Sequence, residues 1–338
     1  MSHASIRQLR VRHESWPLAA PFRISRGVKT AADLVVVELA LREGGHECRG
    51  WGECVPYGRY GESVDSVIAA IEAVRGRLEA GVERAELLQI LPAGAARNAI
   101  DAALWDFEAK RQGRTVAAIL GLPSPRPVIT AHTVSLDTPE RMAQAAAQLA
   151  SVSLIKVKVD AHDPVSQIAA VHTAAPHAAL IVDANEGWDF RLLCALQEPL
   201  VKLGAVLVEQ PLPAGADDIL EGFTSLVPLC ADESCHAIED LPRVRRRYQA
   251  VNIKLDKSGG LTAAVALARA AGEAGLQRMI GCMVCSSLGI APALQLAAEA
   301  DFIDLDGPLL LAQDREGGVT MREGRLQPAR QGFWGDPA

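Results

Sequence analysis

The sequence lacks the features that would place it in a membrane or in an oxidising compartment. Its first residues, MSHASIRQLR, have no apolar core of the kind found in signal peptides, and no stretch approaches the ~18 apolar residues of a membrane span. Seven cysteines, an odd number scattered over 338 residues, do not suggest a disulfide framework. We therefore expect a cytoplasmic protein with reduced cysteines.

Three further absences narrow the class of function. The net charge of -7 offers no excess of basic residues for general nucleic-acid binding. The pair Cys282 and Cys285 has no second cysteine pair or histidine nearby, which argues against a zinc site. No G-x-G-x-x-G motif follows the first strand-like run, which argues against a dinucleotide-binding sheet. The hydrophobic content of 49% is that of an ordinary globular protein with a large core.

The chain changes character near residue 125. Before it lie strand-like runs, such as 34–41, and a helical pattern that starts near Ala96 and ends at Gly113. The proline-rich segment 121–127 is typical of a linker. We predict an α+β domain over residues 1–125, completed by about 309–338, and a second domain over 126–308.

The second domain repeats one pattern eight times. Each apolar run is followed by polar residues and then by an Ala/Leu-rich helical stretch, with starts roughly 20 to 28 residues apart. Strands that are apolar throughout are typical of a parallel sheet buried on both faces. We therefore predict a (β/α) barrel, with its active site at the carboxyl ends of the strands. The eight runs are VITAHTV, LIKVKV, LIVDA, VLVEQ, PLCADE, VNIKLD, RMIGCM and FIDLD.

Three carboxylates occupy the same place in consecutive repeats. Asp183 follows Leu-Ile-Val in the third run, Glu209 follows Val-Leu-Val in the fourth, and Asp232 follows Pro-Leu-Cys-Ala in the fifth. Adjacent strands lie about 4.8 Å apart, so three acids at neighbouring strand ends can reach one ion. Each acid by itself would suit a helix N-cap. Three in register favour a site for Mg2+, which prefers oxygen ligands and removes the repulsion between the carboxylates.

Lysines are expected on two sides of these acids. Lys156 and Lys158 are two residues apart on one strand, so their side chains share a face, and Lys254 lies on the sixth strand. One interpretation is structural: the buried lysines would simply form ion pairs with the acids. Three of them around one set of acids favour a catalytic site instead. A nearby cation and a second ammonium would lower the pKa of a lysine and supply a neutral base.

This combination predicts removal of a proton from a carbon beside a carboxylate. The metal would stabilise the enolate, while Lys158 and Lys254 would act on opposite faces of the substrate. One lysine would remove the proton and the other would return one, which inverts a stereocentre. The same arrangement would also serve a lactonisation or a dehydration if a leaving group lay beside the carbanion.

The motifs together resemble the enolase superfamily, in its muconate lactonising subgroup. The matching segments cover the whole barrel: the K-x-K pair, the motifs at Asp183, Glu209 and Asp232, and Asn252-Ile-Lys254. The resemblance implies an α+β capping domain and a (β/α)7β barrel, with one Mg2+ per subunit held by the three acids. It also implies that Lys156 touches the substrate carboxylate, that Asn185 and Asp256 support the site from behind, and that the enzyme is an isomerase.

Within the subgroup the chain is similar to dipeptide epimerases that act on L-Ala-D/L-Glu. The similar segments include those that begin at Glu53, Leu91 and Asp232. By this resemblance Thr133 and Cys282 line the substrate pocket, and recycling of cell-wall peptides is the implied setting.

The two ends of the dipeptide suggest further binding residues. Asp304 and Asp306 share a face at the end of the eighth strand and suit the free ammonium of a dipeptide, although they could also be solvated loop acids. Arg26 or Lys29 in the capping domain could meet the side-chain carboxylate. Arg59 is a weaker candidate, because an arginine in a loop rich in glycine and tyrosine is usually solvent-facing.

Two alternatives remain open. One is another reaction of the same site: N-acylamino acid racemase, o-succinylbenzoate synthase or cycloisomerase. The other is a metal-binding or structural protein that has lost activity, which the presence of Lys158, Lys254 and all three metal-binding acids disfavours. The expected partner is a small dipeptide, with no nucleic acid and no membrane. The sequence leaves open whether the protein forms a homo-oligomer.

Overall fold

The computed structural model describes residues 7–43 and 46–337. It begins with a three-stranded antiparallel sheet in the order β1-β2-β3, formed by Gln8–Ile24, Gly27–Glu43 and His46–Cys54. The central strand is buried on both faces. Leu34 and Val36 contribute to one hydrophobic core, whereas Val35 and Val37 contribute to a second core. Because successive side chains of a strand point to opposite faces, this one apolar run contributes to both cores.

Helices pack on one side of this sheet. The longest helix contains the predicted helical pattern and ends at Gly113, whose left-handed backbone (φ 63°) closes the last turn. Two glycines of β3 allow the helix to approach, because a Cβ at Gly52 would lie 2.0 Å from the carbonyl oxygen of Ala99. The helices are α1 (Val64–Ala73), α2 (Arg75–Glu79), α3 (Arg84–Ile90), α4 (Ala95–Gln112) and α5 (Val116–Leu120).

The predicted barrel is confirmed. Eight parallel strands are ordered as in the chain, from β4 to β11, and the sheet is nearly closed where Ala131 N donates to Ile303 O at 2.8 Å. All eight strands coincide with the predicted apolar runs. They are β4 (His132–Val134), β5 (Leu154–Lys158), β6 (Ala179–Asp183), β7 (Ala205–Glu209), β8 (Leu229–Ala231), β9 (Ala250–Lys254), β10 (Gln277–Gly281) and β11 (Phe302–Asp304).

The prediction of a helical stretch after every strand is wrong for one connection. Between β7 and β8 the only helical turn is a 3-10 turn at Asp218–Leu220. Pro211 and Pro213 follow β7 at once, and proline disfavours helix in the residue before it. The other helices are α6 (Pro139–Ala147), α7 (Pro164–Ala174), α8 (Phe190–Lys202), α9 (Leu241–Val244), α10 (Leu255–Ser258), α11 (Leu261–Glu273) and α12 (Ser287–Ile290).

A layer of buried side chains fills the amino-terminal half of the barrel. A packed layer of this kind is typical of barrels that bind ligands at the carboxyl ends of their strands, and residues of the β1–β2 hairpin line the cavity at those ends. The layer consists of Ala131, Leu154, Ile181, Leu207, Cys230, Ala250 and Met279.

The last described segment returns to the first sheet. After β11 it forms a hairpin, β12 (Thr320–Arg322) and β13 (Arg325–Gln327). Beyond it, the Trp334 indole donates to Trp51 O at 2.9 Å and Gly335 N donates to Asp106 at 2.7 Å. None of the helices in residues 7–43 and 46–337 is long and apolar enough to cross a membrane.

Candidate active site

The carboxyl ends of the strands bring the predicted acids and lysines to one place. In the sheet register Asp183 pairs with Glu209 on one side and with Lys158 on the other, because all three end their strands at the same level. Asp232 follows β8, and Lys254 ends β9. Ile155 and Val157 pack in the outer core, so Lys156 and Lys158 face the barrel interior. All six charged side chains are buried.

Within this cluster each ammonium contacts a carboxylate. The Lys156 ammonium lies 2.6 Å from Glu209, 2.7 Å from Asp304 and 3.1 Å from Asp183. Lys158 lies 2.5 Å from Asp183, and Lys254 lies 2.7 Å from Asp232. Lys158 on β5 and Lys254 on β9 therefore stand on opposite sides of the acids.

These contacts shift the pKa values of the groups. Burial, followed by the charge of Asp183, raises the pKa of Glu209 to about 8. Burial acts on Asp183 in the same direction, but the ammonium groups of Lys158 and Lys156 prevail and hold its pKa below the usual range. The pKa of Lys254 is raised well above its ordinary value, because Asp232 and Glu209 outweigh the loss of solvation. The sequence predicts instead a lowered pKa for a catalytic lysine. Such a lowering requires further positive charge beside these carboxylates.

The three acids offer the donor atoms that a divalent cation takes. In the described part of the chain, no group of three Asp, Glu, His or Cys side chains is arranged to hold a metal as it stands, because lysine ammonium groups lie between the acids. Glu209 Oε2 and Asp232 Oδ1 are nevertheless buried, and the nearest ammonium groups do not approach them along hydrogen-bonding directions. Oxygen donors with unused bonding capacity and clustered negative charge fit a hard cation such as Mg2+.

Two residues for which the sequence predicts no role hold the acids in place. Asn252 donates to Glu209 Oε1 at 2.8 Å. The fully buried Lys257 donates to the carbonyl oxygens of Asp232, Cys235 and Asn252 at 2.5, 2.9 and 2.8 Å, and its ammonium lies 2.7 Å from Asp232 Oδ1. The sequence signal for both was their proximity to Lys254: Asn252 lies two positions before it on β9, and Lys257 lies three positions after it.

Gln210 orders the loop that carries Asp232. Its backbone is left-handed (φ 34°), and its side-chain oxygen accepts from the backbone N–H groups of Asp232 and Ser234 at 2.9 and 3.1 Å. Its side-chain nitrogen donates to Tyr248 at 3.0 Å. Each buried amide group of Gln210 is thereby bonded, which fixes the position of Asp232.

Asp304 and Asp306 are buried beside the lysines and line the same cavity, contrary to the alternative of solvated loop acids. Asp306 accepts from Thr133 N at 2.6 Å, and burial together with Asp304 raises the pKa of Asp306 to about 6. Asp304 Oδ2 accepts from Lys156, while its Oδ1 is buried and has no hydrogen-bond partner among the described residues. One carboxylate oxygen thus remains for a donor from a ligand.

A cavity of about 400 Å3 lies between the barrel and the β1–β2 hairpin, and it is lined by Asp232, Asp304, Asp306 and the three lysines. Its volume suits a small molecule. Thr133, Lys156, Cys282 and Asn185 line it, as do Arg26 and Lys29 from the β1–β2 hairpin. Arg59 also lines it: its side chain is exposed, as expected, and contacts Glu186 at 2.8 Å.

Two residues predicted to support the site from behind lie in different places. Asn185 N donates to Asp183 Oδ1 at 2.9 Å, so Asn185 does contact one of the three acids. Asp256 instead joins the two domains, where it accepts from Val55 N at 3.1 Å and from Asn98 at 2.8 Å. Burial raises the pKa of Asp256 to about 7. Asp256 follows Lys254 by two positions, but α10 starts at residue 255 and turns the carboxylate away from the acids.

Family models match nearly the whole chain. Residues 6–121 match the N-terminal domain of mandelate racemase and muconate lactonizing enzyme, and residues 140–333 match the enolase C-terminal domain-like family. L-Ala-D/L-Glu epimerase of Escherichia coli is 49% identical, covering 95% of this chain and 99% of that protein. N-acetyl-D-glutamate racemase of Pseudoalteromonas is also 49% identical, covering 89% and 95%.

Two solved structures have the same fold. One is an enolase family member from Agrobacterium tumefaciens with homology to dipeptide epimerases, solved with sodium, L-Ala-L-Glu and an ordered loop. It is 47% identical with a TM-score of 0.92, covering 97% of this chain and all of that one. The other is a dipeptide epimerase from Cytophaga hutchinsonii complexed with Mg and D-Ala-L-Val. It is 28% identical with a TM-score of 0.88, covering 96% and 94%.

The raised pKa of Asp256 generates a prediction about stability. Because the folded protein holds the proton of Asp256 up to about pH 7, whereas an unfolded carboxyl loses it near its ordinary pKa of 3.8, this group lowers the free energy of unfolding as pH rises between those values. Asp256→Asn keeps the accepting oxygen and removes this titration. Between pH 4.5 and 8 the melting temperature of the variant should therefore rise relative to wild type, by roughly 2 °C or more.

Thermal unfolding at four or five pH values measures this difference. The exposed Asp65→Asn on α1 is the matched control and should follow the wild type at every pH. A difference between Asp256→Asn and wild type that does not change with pH would contradict the assignment.

Proposed function

The chain belongs to the mandelate racemase/muconate lactonizing enzyme family of the enolase superfamily, and on that premise we propose that it is a Mg2+-dependent dipeptide epimerase. Its reaction is a 1,1-proton transfer at the Cα of the C-terminal residue of L-Ala-D/L-Glu-type dipeptides. The single observation that carries this proposal is the placement of Lys158 and Lys254 on opposite sides of one cavity that also presents Asp304 and Asp306.

The proton transfer follows from the two lysines. With the Cα between β5 and β9, its proton faces Lys158 in one epimer and Lys254 in the other. One amine accepts the proton, the carbon becomes planar, and the opposite ammonium delivers a proton to the other face. Both lysines are buried, which excludes bulk water as a competing proton donor. Lys156, between Asp183, Glu209 and Asp304, is placed to pair with a substrate carboxylate oxygen.

Asp183, Glu209 and Asp232 would hold the cation. When bound, Mg2+ supplies positive charge that stabilises the negative charge developing on the substrate carboxylate. Asn252, Lys257 and Gln210 keep the acid side chains in position for it. The Mg-containing structure of the related epimerase from Cytophaga hutchinsonii supports this choice of ion.

The amino end of the dipeptide is assigned to β11. Asp304 Oδ1 and the carboxyl of Asp306 offer acceptors inside the cavity, and Thr133 N fixes the orientation of Asp306. An ammonium there forms charge-assisted hydrogen bonds that an N-acyl group cannot form. We assign Cys282 to the wall of the substrate pocket, and Arg26 and Lys29 to the side that faces the substrate side chain.

A second candidate is the racemisation of an N-acylated amino acid. The 49% identity to N-acetyl-D-glutamate racemase favours it, because that similarity equals the similarity to L-Ala-D/L-Glu epimerase. Both reactions use the same bases and the same acids, so the charge at the amino end decides between them. The pair Asp304 and Asp306 favours the dipeptide. We further propose that the enzyme works in the cytoplasm on a small dipeptide, such as one released from cell wall, without nucleic acid or membrane as a partner.

Removal of the metal is the first test. Treatment with EDTA should abolish epimerisation of L-Ala-L-Glu, and added Mg2+ should restore it, because the negative charge that develops on the substrate carboxylate would lose its stabilising cation. Deuterium incorporation at Cα in D2O, measured by mass spectrometry, gives the rate. Full activity in a sample shown by elemental analysis to be free of metal would contradict the proposal.

The two lysines make a paired prediction. In Lys158→Ala and in Lys254→Ala, epimerisation should fall by roughly three or more orders of magnitude, because each variant lacks one of the two proton carriers. The remaining lysine can still exchange the proton that faces it, so each variant should incorporate deuterium into one epimer only, and the two variants into opposite epimers. The exposed Lys202→Ala on α8 is the control. Normal turnover of both epimers by Lys254→Ala would eliminate the two-base mechanism.

The amino-end assignment predicts a change in specificity. Asp306→Asn leaves the substrate ammonium underpaired in a buried site, which costs about 2–5 kcal/mol, so kcat/KM for L-Ala-L-Glu should fall by roughly 30-fold to several thousand-fold. Activity on N-acetyl-L-Ala-L-Glu should fall far less. If the wild type processes the acetylated and free dipeptides equally well, these acids do not recognise an ammonium and the racemase candidate moves ahead.

A further inference from the structure

Asp217 is a buried acid that the proposed reaction does not use. It lies in the connection between β7 and β8, one residue before the 3-10 turn at Asp218–Leu220. Although Asp217 occupies the N-cap position of that turn, its side chain makes no capping hydrogen bond. The carboxylate instead bonds to side chains that follow β8 and precede β9. Capping of the turn therefore does not account for an acid at this position.

Three donors meet the Asp217 carboxylate. Its Oδ1 accepts from Arg247 at 2.5 Å, and its Oδ2 accepts from the hydroxyls of Ser234 at 2.5 Å and Tyr248 at 2.8 Å. Arg247 supplies the opposite charge that a buried carboxylate requires. Because an ionised carboxylate can only accept, both hydroxyl protons are directed toward Asp217. The two hydroxyl oxygens are left as acceptors for other groups.

The side chain of Gln210 donates to those two hydroxyls. Its nitrogen shares its hydrogens among Ser234 at 2.8 Å, Tyr248 at 3.0 Å and Leu212 O at 2.9 Å. Its oxygen accepts from the backbone N–H groups of Asp232 and Ser234. A carbonyl oxygen such as Leu212 O can only accept, and backbone N–H groups can only donate. The Gln210 amide therefore has one orientation, with its oxygen toward Asp232.

The direction of these hydrogen bonds is set by the charge of Asp217. An N–H group in place of one carboxylate oxygen would donate to a hydroxyl, whose own proton would then turn toward the Gln210 nitrogen. Two donors that face each other cannot bond, and a buried donor without an acceptor is unfavourable. The amide would lose its fixed orientation, and the backbone N–H of Asp232 would lose its acceptor.

Asp232 depends on this restraint more than the other two acids do. Asp183 and Glu209 are the last residues of their strands, whereas Asp232 lies one residue beyond β8. Its backbone N–H bonds to the Gln210 side chain instead of to a neighbouring strand. A metal site requires its ligand distances to hold within about 0.2 Å. Small movements of this loop therefore matter for a cation.

We propose, building on the Mg2+ site of the proposed function, that Asp217 is a positioning residue that sets the affinity for the cation. It fixes the hydrogen-bond direction of two hydroxyls, these orient Gln210, and Gln210 holds the backbone of Asp232. Asp217 is not among the residues that line the described cavity, so its effect on the cation passes through Asp232.

The test titrates the enzyme, freed of metal, with Mg2+ alone by isothermal titration calorimetry. Deuterium exchange into L-Ala-L-Glu is then measured over a range of Mg2+ concentrations. Asp217→Asn keeps the shape of the side chain and removes its charge. Its Kd for Mg2+ should rise by roughly 10- to 100-fold, while kcat at saturating Mg2+ stays within about threefold of wild type. The exposed neighbour supplies the matched control, because Asp218→Asn should leave the Kd unchanged.

Two further variants trace the route from Asp217 to Asp232. Tyr248→Phe removes one hydroxyl and should raise the Kd by a smaller factor, because Ser234 still bonds to both Asp217 and Gln210. In the Gln210→Met background, Asp217→Asn should raise the Kd no further, because the route ends at Gln210. Such non-additivity is the signature of residues that act through one network.

Several results would overturn this role. They are a wild-type Kd in Asp217→Asn, a loss of kcat at every Mg2+ concentration with the Kd unchanged, or effects on the Kd that multiply in the double variant. If Asp217→Asn does not fold, a wild-type Kd in Tyr248→Phe overturns the role. A wild type that binds no Mg2+ would instead contradict the metal assignment of the proposed function, which is a different result from a variant with unchanged affinity.

Discussion

The structure depends on ion pairs between buried carboxylates and buried ammonium groups inside the barrel. Neither set could remain charged alone in the barrel, because an unpaired buried charge costs several kcal/mol. Asp183, Glu209 and Asp232 are tolerated because lysines of β5 and β9 lie within ion-pair distance of them. In the proposed reaction, the same lysines flank the Cα of the substrate. Stability and catalytic geometry therefore have a common origin.

The barrel provides this arrangement by register. Parallel strands that end at one level deliver their last side chains to one plane, and the supporting contacts of Asn252, Lys257 and Gln210 then fix each acid. The capping sheet has a different role. It contributes none of the acids or lysines proposed for the reaction, but its β1–β2 hairpin covers the cavity at the carboxyl ends of the barrel strands. In the proposed reaction, the chemistry and the recognition of the amino end thus reside on the barrel, and the capping sheet adds the part of the cavity wall contributed by its β1–β2 hairpin.

The sequence predicts the barrel and its charged residues because both depend on local periodicity. The eight apolar runs mark the eight strands, and the position after each run marks the site. The sequence does not predict contacts between distant segments, such as those of Arg26 and Arg59 with Glu186, which lie 160 and 127 positions apart. The contacts of Asp256 could not be predicted for the same reason. The short helix α10 after β9 directs its side chain to the capping domain and not to the three acids. In contrast, the absence of an α-helix between β7 and β8 could have been predicted from the sequence, because Pro211 and Pro213 follow β7.

The return of Trp334 and Gly335 to the first sheet has a consequence for synthesis on the ribosome. Asp106 on α4 accepts from Gly335 N and from Trp51 N, so three distant segments meet at one carboxylate. The N-terminal strands can pair as soon as they emerge, but this junction forms only when residues 334 and 335 have left the exit tunnel. During translation the nascent capping domain therefore exposes the Asp106 carboxylate with one bond missing. The contact of Trp334 and Gly335 with the capping domain is therefore made after the whole barrel has been synthesised.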